Sequence, residues 1–74
     1  MKLSKTQRDI LTNMANGWKL RRPDLRSSYR IQKDYYWKRV LWRTLRVLKY
    51  LDLIAFDLSI SEWAITEKGK EALR

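Results

Sequence analysis

The sequence contains no cysteine and no histidine. Without cysteine there is no disulfide and no thiolate metal site. Without histidine the chain lacks the commonest general base and the commonest metal ligand, so a Ser/His or Cys/His hydrolase cannot be assembled from it. No pair among the eight acidic residues stands out as a catalytic dyad. We therefore expect a protein that is not an enzyme and uses no metal or other cofactor.

Long apolar runs and low-complexity segments are also absent. No stretch approaches the roughly 18 apolar residues of a membrane-spanning helix, and the first residues lead into a polar amphipathic stretch rather than a signal segment. Four Trp, four Tyr and one Phe in 74 residues can supply a core, so disorder is not expected. These features predict one intracellular domain over residues 1–74 with no membrane association.

The positive charge is concentrated in one part of the chain. The net charge is +9. Residues 19–49 contain eleven Lys or Arg and only two acids, whereas the remainder carries equal numbers of both signs. A solvated surface usually mixes the signs. The one-sign block therefore indicates a polyanionic partner such as DNA, RNA or an acidic membrane surface.

The N-terminal residues predict a helix over about residues 4–16. Ser4 and Gln7 have the spacing of a capping box, in which each side chain bonds the other residue's backbone N–H. Ile10, Leu11 and Met14 follow at helical spacing. Gly17 is suited to the left-handed residue that ends a helix.

Two alternating runs predict a β-hairpin after this helix. Residues 18–22 and 28–32 alternate apolar and polar side chains, and Pro23-Asp24 between them is a turn signal. The inner face would hold Trp18, Leu20, Tyr29 and Ile31. The outer face would hold Lys19, Arg21 and Arg30, with Arg22 and Arg26 in the loop.

A long second helix is predicted from Tyr35 or Tyr36 to about Tyr50, with Asp34 as its cap. On a helical wheel one side is apolar; it comprises Trp37, Val40, Leu41, Thr44, Leu45, Val47, Leu48 and Leu51. The other side carries Arg39, Arg43 and Arg46, flanked by lysines and aromatic residues. The start is open, because residues 35–38 also suit an extended strand.

The C-terminal third predicts a short hairpin and a final helix. Asp52 can take the left-handed conformation at the end of the second helix. Residues 53–56 and 63–65 are predicted strands joined by residues 57–62. Thr66 is a predicted cap for a helix from Glu67 to about Leu73. The predicted fold class is thus α+β, in the order helix, hairpin, long helix, short hairpin, helix.

The order and spacing of these signals resemble a winged helix-turn-helix domain. The run from Thr44 to Ile54 resembles a recognition helix and the first wing strand, and the run from Ile65 to Leu73 resembles the segment that closes many such domains. Residues 3–17 are similar to the first helix of the family. The overall pattern resembles small winged-helix proteins of phages, prophages and plasmids. It departs from the family in having Asp52 where a glycine is usual, no distinct helix before the recognition helix, and a wing with two acids and no base.

The resemblance implies binding to double-stranded DNA, with the second helix in the major groove and the basic hairpin on the phosphate backbone. Such a protein would be a transcriptional regulator or an accessory factor in phage or plasmid DNA transactions, in the cytoplasm of a bacterial or phage-infected cell. The predicted DNA-binding residues are Arg39, Trp42, Arg43, Arg46, Lys38, Lys49, Lys19, Arg21, Arg22, Arg26 and Arg30. If six to ten phosphates are contacted, affinity should fall by about 10³–10⁵ between about 50 and 200 mM salt.

Other partners are compatible with the same residues. Exposed aromatic and arginine side chains also suit a protein-interaction module, or RNA binding. A homodimer on two half-sites and a monomer are both consistent with the sequence.

Overall fold

In the computed structural model, which describes residues 3–22, 24, 26 and 28–74, helices pack against a five-stranded antiparallel sheet. The described elements are α1 (Lys5–Ala15), β1 (Lys19–Arg21), β2 (Arg30–Lys33), β3 (Tyr36–Arg39), α2 (Trp42–Tyr50), β4 (Ile54–Asp57), β5 (Glu62–Ile65) and α3 (Glu67–Glu71). The α+β class is therefore confirmed. Pro23 of the predicted turn lies outside the described residues, while the Asp24 side chain accepts from the Arg26 backbone N–H at 2.8 Å.

The first helix has both of the ends that its sequence predicts. Ser4 Oγ accepts from the Gln7 N–H at 3.2 Å, and Gln7 Oε1 accepts from the Ser4 N–H at 3.0 Å. At the other end, Gly17 has φ +95°, and its N–H and that of Trp18 donate to the carbonyls of Met14 and Asn13. This pair of bonds is the Schellman arrangement, which satisfies the last carbonyls of a helix.

The strands form one sheet in the order β3-β2-β1-β5-β4. Both predicted hairpins are present, as β1–β2 and β4–β5. Strand β1 joins the two hairpins into one sheet, because its central residue, Leu20, pairs with Ile31 of β2 on one side and with Trp63 of β5 on the other. Strands β3 and β4 are the two edges.

The predicted long helix is wrong in its first part, which forms strand β3. Residues 34–35 make a two-residue turn, with Asp34 at φ +54° rather than at a helix start. Strand β3 pairs with β2 from Lys33↔Tyr36 to Arg30↔Arg39. The Val40 N–H continues the ladder to the Tyr29 carbonyl at 2.9 Å. Aromatic residues favour strands, and β2 offers an unpaired edge that this segment satisfies.

The core lies between the helices and the inner face of the sheet. Its fully buried side chains are Leu11, Leu20, Ile31, Leu45, Leu48 and Leu53. Val40 is buried as predicted, but Trp37 and Leu41 are 56% and 59% exposed. Their predicted core positions are wrong because β3, unlike a helix, sends alternate side chains to opposite faces, and Leu41 lies in the connection to α2.

Hydrogen bonds join the end of α2 to the start of α3. Asp52 has φ +61°, as predicted. Its carbonyl accepts from Thr66 Oγ1 at 2.6 Å, and the same oxygen of Thr66 caps α3 by accepting from the Gly69 N–H at 3.0 Å. The predicted cap of the last helix is confirmed, and this junction fixes β4 and α3 relative to each other.

Replacing Gly69 with alanine is expected to destabilise this junction. A β-carbon at this position would overlap the Leu53 carbonyl oxygen and lie 2.8 Å from Ile65 Cγ1. Overpacking of this kind costs about 1–3 kcal/mol and outweighs the helix propensity that alanine gains, about 1 kcal/mol. Thermal unfolding should show a lower Tm for Gly69→Ala, whereas Lys68→Ala, at an exposed position of the same helix, should melt like the parent. An unchanged Tm for Gly69→Ala would show that the junction relaxes freely.

Candidate nucleic-acid interface

Seven of the eleven cations of the basic block, residues 19–49, lie on two surfaces. One is the α2 face, formed by Trp42, Arg43, Arg46 and Lys49. The other is the outer sheet face, formed on strands β1 to β3 by Lys19, Arg21, Arg30, Gln32, Trp37 and Arg39. The outer sheet face is the side of these strands opposite to buried Leu20 and Ile31, because successive residues of a strand point to opposite faces.

The α2 face follows from the way in which α2 packs. Only Leu45 and Leu48 of this helix are buried. Arg43, Arg46 and Lys49 are exposed and follow one another at a spacing of three residues, which places successive members on neighbouring parts of the helix surface. Helix α2 contains no acidic residue, so its cations have no carboxylate on their own helix.

An aromatic stack fixes the N-terminal end of the α2 face. Trp42, the first residue of α2, stacks on Tyr29 with ring centroids 5.7 Å apart and planes 22° from parallel. The Arg22 guanidinium lies 5.1 Å from the centre of the same Tyr29 ring. Trp42 is nevertheless 51% exposed. The stack therefore holds one arginine and one indole at the beginning of the helix.

The outer sheet face carries three arginines side by side on adjacent strands. Arg21 pairs with Arg30, and Arg30 pairs with Arg39, so the three residues occupy one row across three strands. Neighbouring strands lie about 4.8 Å apart, and like charges directly opposite each other are destabilising. Within the described part of the chain, no carboxylate lies within 4.0 Å of any of the three guanidinium groups.

The next row of the same face contains Lys19, Gln32 and Trp37. The Arg30 guanidinium lies 4.6 Å from the centre of the Trp37 ring, and Gln32 accepts a long hydrogen bond from Arg21 at 3.5 Å. Glu62 borders the face at β5, with Oε1 4.0 Å from Lys19 Nζ. The patch is thus cationic and aromatic on β1 to β3 and becomes acidic only at its margin.

The predicted binding residues are therefore divided among several places. Arg43 and Arg46 share a surface as predicted. Arg39 does not join them, because it belongs to β3 and lies on the outer sheet face. Lys38 lies opposite Ile31, on the inner side of β3, and is exposed at the sheet edge. Arg26 is exposed in the connection between β1 and β2.

The β4–β5 hairpin is apolar and acidic. Phe56, Leu58 and Ile60 are 45%, 84% and 56% exposed. The hydroxyl of Ser59, at 2.6 Å, and its backbone N–H, at 2.9 Å, hold the pKa of the Asp57 carboxyl below its ordinary value. This carboxylate is therefore ionised at neutral pH, and the hairpin is unsuited to phosphate contact.

The sequence does not predict two residues of the outer sheet face, Trp37 and Gln32, as binding residues. The helical wheel places Trp37 in the core, and Gln32 is predicted only as part of a strand. The aromatic run of residues 35–37, only two residues after β2, is the signal for a third strand. A third strand over these residues places Trp37 on the same face as Arg30 and Arg39.

Comparisons with protein-family models, with curated proteins and with solved structures find no match to this chain. None of the described helices is long and apolar enough to cross a membrane. Among residues 3–22, 24, 26 and 28–74, no group of three or more Asp or Glu side chains is arranged to hold a metal ion.

Proposed function

We propose that the protein binds double-stranded DNA by inserting the α2 face into the major groove. The observation that carries the proposal is the exposure of Arg43, Arg46 and Lys49 along one helix that buries only Leu45 and Leu48. An α-helix fits the major groove of B-DNA, and the fork of arginine matches guanine O6/N7 as well as phosphate. Arg22 and Trp42 then lie at the end of the docked helix, where they can contact the sugar-phosphate backbone.

The proposed arrangement is of the winged-helix kind. Helix α2 would act as the recognition helix and the β4–β5 hairpin as the wing, while the β2–β3 hairpin occupies the place before the recognition helix. Because the wing carries Asp57, Glu62 and no cation, it would stay away from the phosphates. The expected role is a transcriptional regulator or an accessory factor in phage or plasmid DNA transactions in the cytoplasm, as a monomer or a homodimer.

The division of the cations sets how strongly salt should weaken this complex. A duplex on the α2 face meets the three cations of α2 and Arg22, rather than all the cations of the basic block. About three to four neutralised phosphates give a slope of log K against log[salt] of about −2.7 to −3.6. We expect the affinity for a mixed-sequence duplex to fall by about 40- to 150-fold between about 50 and 200 mM NaCl.

Fluorescence anisotropy of a labelled duplex across a salt series measures this slope. A slope near zero, or no binding at the lowest salt, would contradict DNA binding altogether. A slope of about −6 or steeper would show that one duplex reaches both cationic surfaces, which contradicts docking by the α2 face alone. The same titration with Lys49→Ala should give a slope smaller in magnitude by about 1.

A further inference from the structure

We propose that the outer sheet face is a second site, which binds single-stranded nucleic acid with Trp37 as the stacking platform for an unpaired base. This surface is distinct from the α2 face, so that either site can exist without the other.

The charge arrangement of this face calls for an anionic ligand. Arg21, Arg30 and Arg39 stand abreast on adjacent strands without a carboxylate partner within 4.0 Å among the described residues. Their mutual repulsion destabilises the free sheet. The Nε of Arg30 is buried and has no hydrogen-bond partner within the described chain, although a buried donor is normally satisfied. A row of phosphodiester oxygens supplies the missing negative charge and acceptors for the exposed guanidinium N–H groups of Arg21 and Arg39.

The aromatic residue selects a nucleic acid over a simple anion. Trp37 projects from the same face and is 56% exposed, with Arg30 held 4.6 Å from its ring centre. Trp37, Arg30 and Arg39 line an open depression of about 270 Å³. A neighbouring depression of about 350 Å³ is lined by Lys19, Arg21, Gln32 and Lys33, with Asp34 as its one acidic residue. Stacking of bases on exposed aromatic rings beside a cationic track is the usual way in which proteins hold single strands.

The shape of the face favours a single strand over a duplex. Three adjacent strands span about 10 Å at their ordinary spacing, and a sheet face of this kind does not enter a groove as a helix does. In a duplex the bases are stacked within the helix and cannot reach Trp37, whereas unpaired bases can be splayed onto a sheet. The amide of Gln32 lines the second depression and makes only long hydrogen bonds within the described chain, to Arg21 and to the Asp34 carbonyl, so it can exchange them for a base edge.

Binding of a fluorescein-labelled thymidine 15-mer, followed by anisotropy at low salt, tests the site. Trp37→Leu should weaken the Kd by about 5- to 150-fold, the loss that corresponds to one stacked base. Arg30→Ala/Arg39→Ala should weaken it at least as much. Tyr36→Leu, which removes an exposed aromatic from the adjacent position on the opposite side of β3, is the matched control and should bind like the parent. The melting temperature of each variant shows that it is folded.

Three results separate this inference from the duplex proposal. Arg43→Ala/Arg46→Ala should leave thymidine 15-mer binding unchanged, and excess unlabelled duplex should not displace the 15-mer. A uridine 15-mer run in parallel identifies whether DNA or RNA is preferred, and tight binding of either supports the site. The inference is overturned by no binding of either 15-mer, by binding of Trp37→Leu and of Arg30→Ala/Arg39→Ala as tight as that of the parent, or by full displacement by duplex. Each of these outcomes is independent of what the α2 variants do to duplex binding.

Discussion

Replacing Arg43 and Arg46 together with alanine is expected to weaken duplex DNA binding by at least about 30-fold. Each well-placed arginine contributes about 1–3 kcal/mol to such a complex, and every 1.4 kcal/mol is a factor of ten in Kd. Both side chains are exposed, on a helix whose packing depends on Leu45 and Leu48. The fold should therefore be unaffected, and anisotropy on a mixed-sequence duplex at low salt measures the loss directly.

The matched control removes two positive charges from another part of the chain. Lys68→Ala/Lys70→Ala changes the net charge by the same amount, but these residues belong to α3, where Lys70 pairs with Glu67 at 3.5 Å. This variant should retain duplex binding within a few-fold. If it loses as much affinity as the α2 variant, net charge alone attracts DNA, and docking through α2 is wrong.

Truncating Leu48 is expected to destabilise the fold strongly. Leu48 is fully buried. Its carbonyl oxygen accepts a hydrogen bond from the Leu53 N–H, just beyond the end of α2. Replacing a buried leucine with alanine costs about 2–5 kcal/mol. A domain of this length is stable by only about 4–11 kcal/mol, at about 0.05–0.15 kcal/mol per residue. Leu48→Ala should therefore lower the Tm by about 10 °C or more.

Leu58 provides the comparison for this substitution, because it is 84% exposed at the tip of the β4–β5 hairpin. Leu58→Ala should change the free energy of unfolding by less than about 0.5 kcal/mol. Circular dichroism during thermal unfolding distinguishes the two variants. Equal Tm values for Leu48→Ala and Leu58→Ala would mean that α2 does not pack on the sheet as described.

Features that depend on neighbouring residues could be predicted from the sequence. The capping box of Ser4 and Gln7, the left-handed Gly17 and Asp52, and the Thr66 cap are each decided within a few residues by hydrogen-bonding geometry. The sequence accordingly located α1, the end of α2 and the start of α3. The strands of both hairpins were also predicted, because alternation of apolar and polar residues marks a half-buried strand.

Features that depend on distant contacts could not be predicted in the same way. Residues 35–41 fit a helix by apolar spacing and a strand by aromatic content, and pairing with β2 decides between them. The joining of the two hairpins through Leu20 and Trp63 is a contact between positions 43 residues apart. Because residues 36–39 form β3, Arg39 lies on the outer sheet face, whereas Arg43 and Arg46 lie on the α2 face. The candidate cations were thus predictable as a set, but their division was not.

The two edges of the sheet differ in a way that governs how the protein will behave in concentrated solution. Edge strand β3 carries Lys38 and Arg39, whose charges discourage another strand from adding to it. Edge strand β4 carries Ala55 and Phe56 at exposed positions, and its one charged residue is Asp57 at its end. Its unpaired backbone groups are protected by that single carboxylate and by the repulsion between molecules of net charge +9. Salt that screens this repulsion removes the protection, so that aggregation, when it occurs, will begin by strand addition at β4.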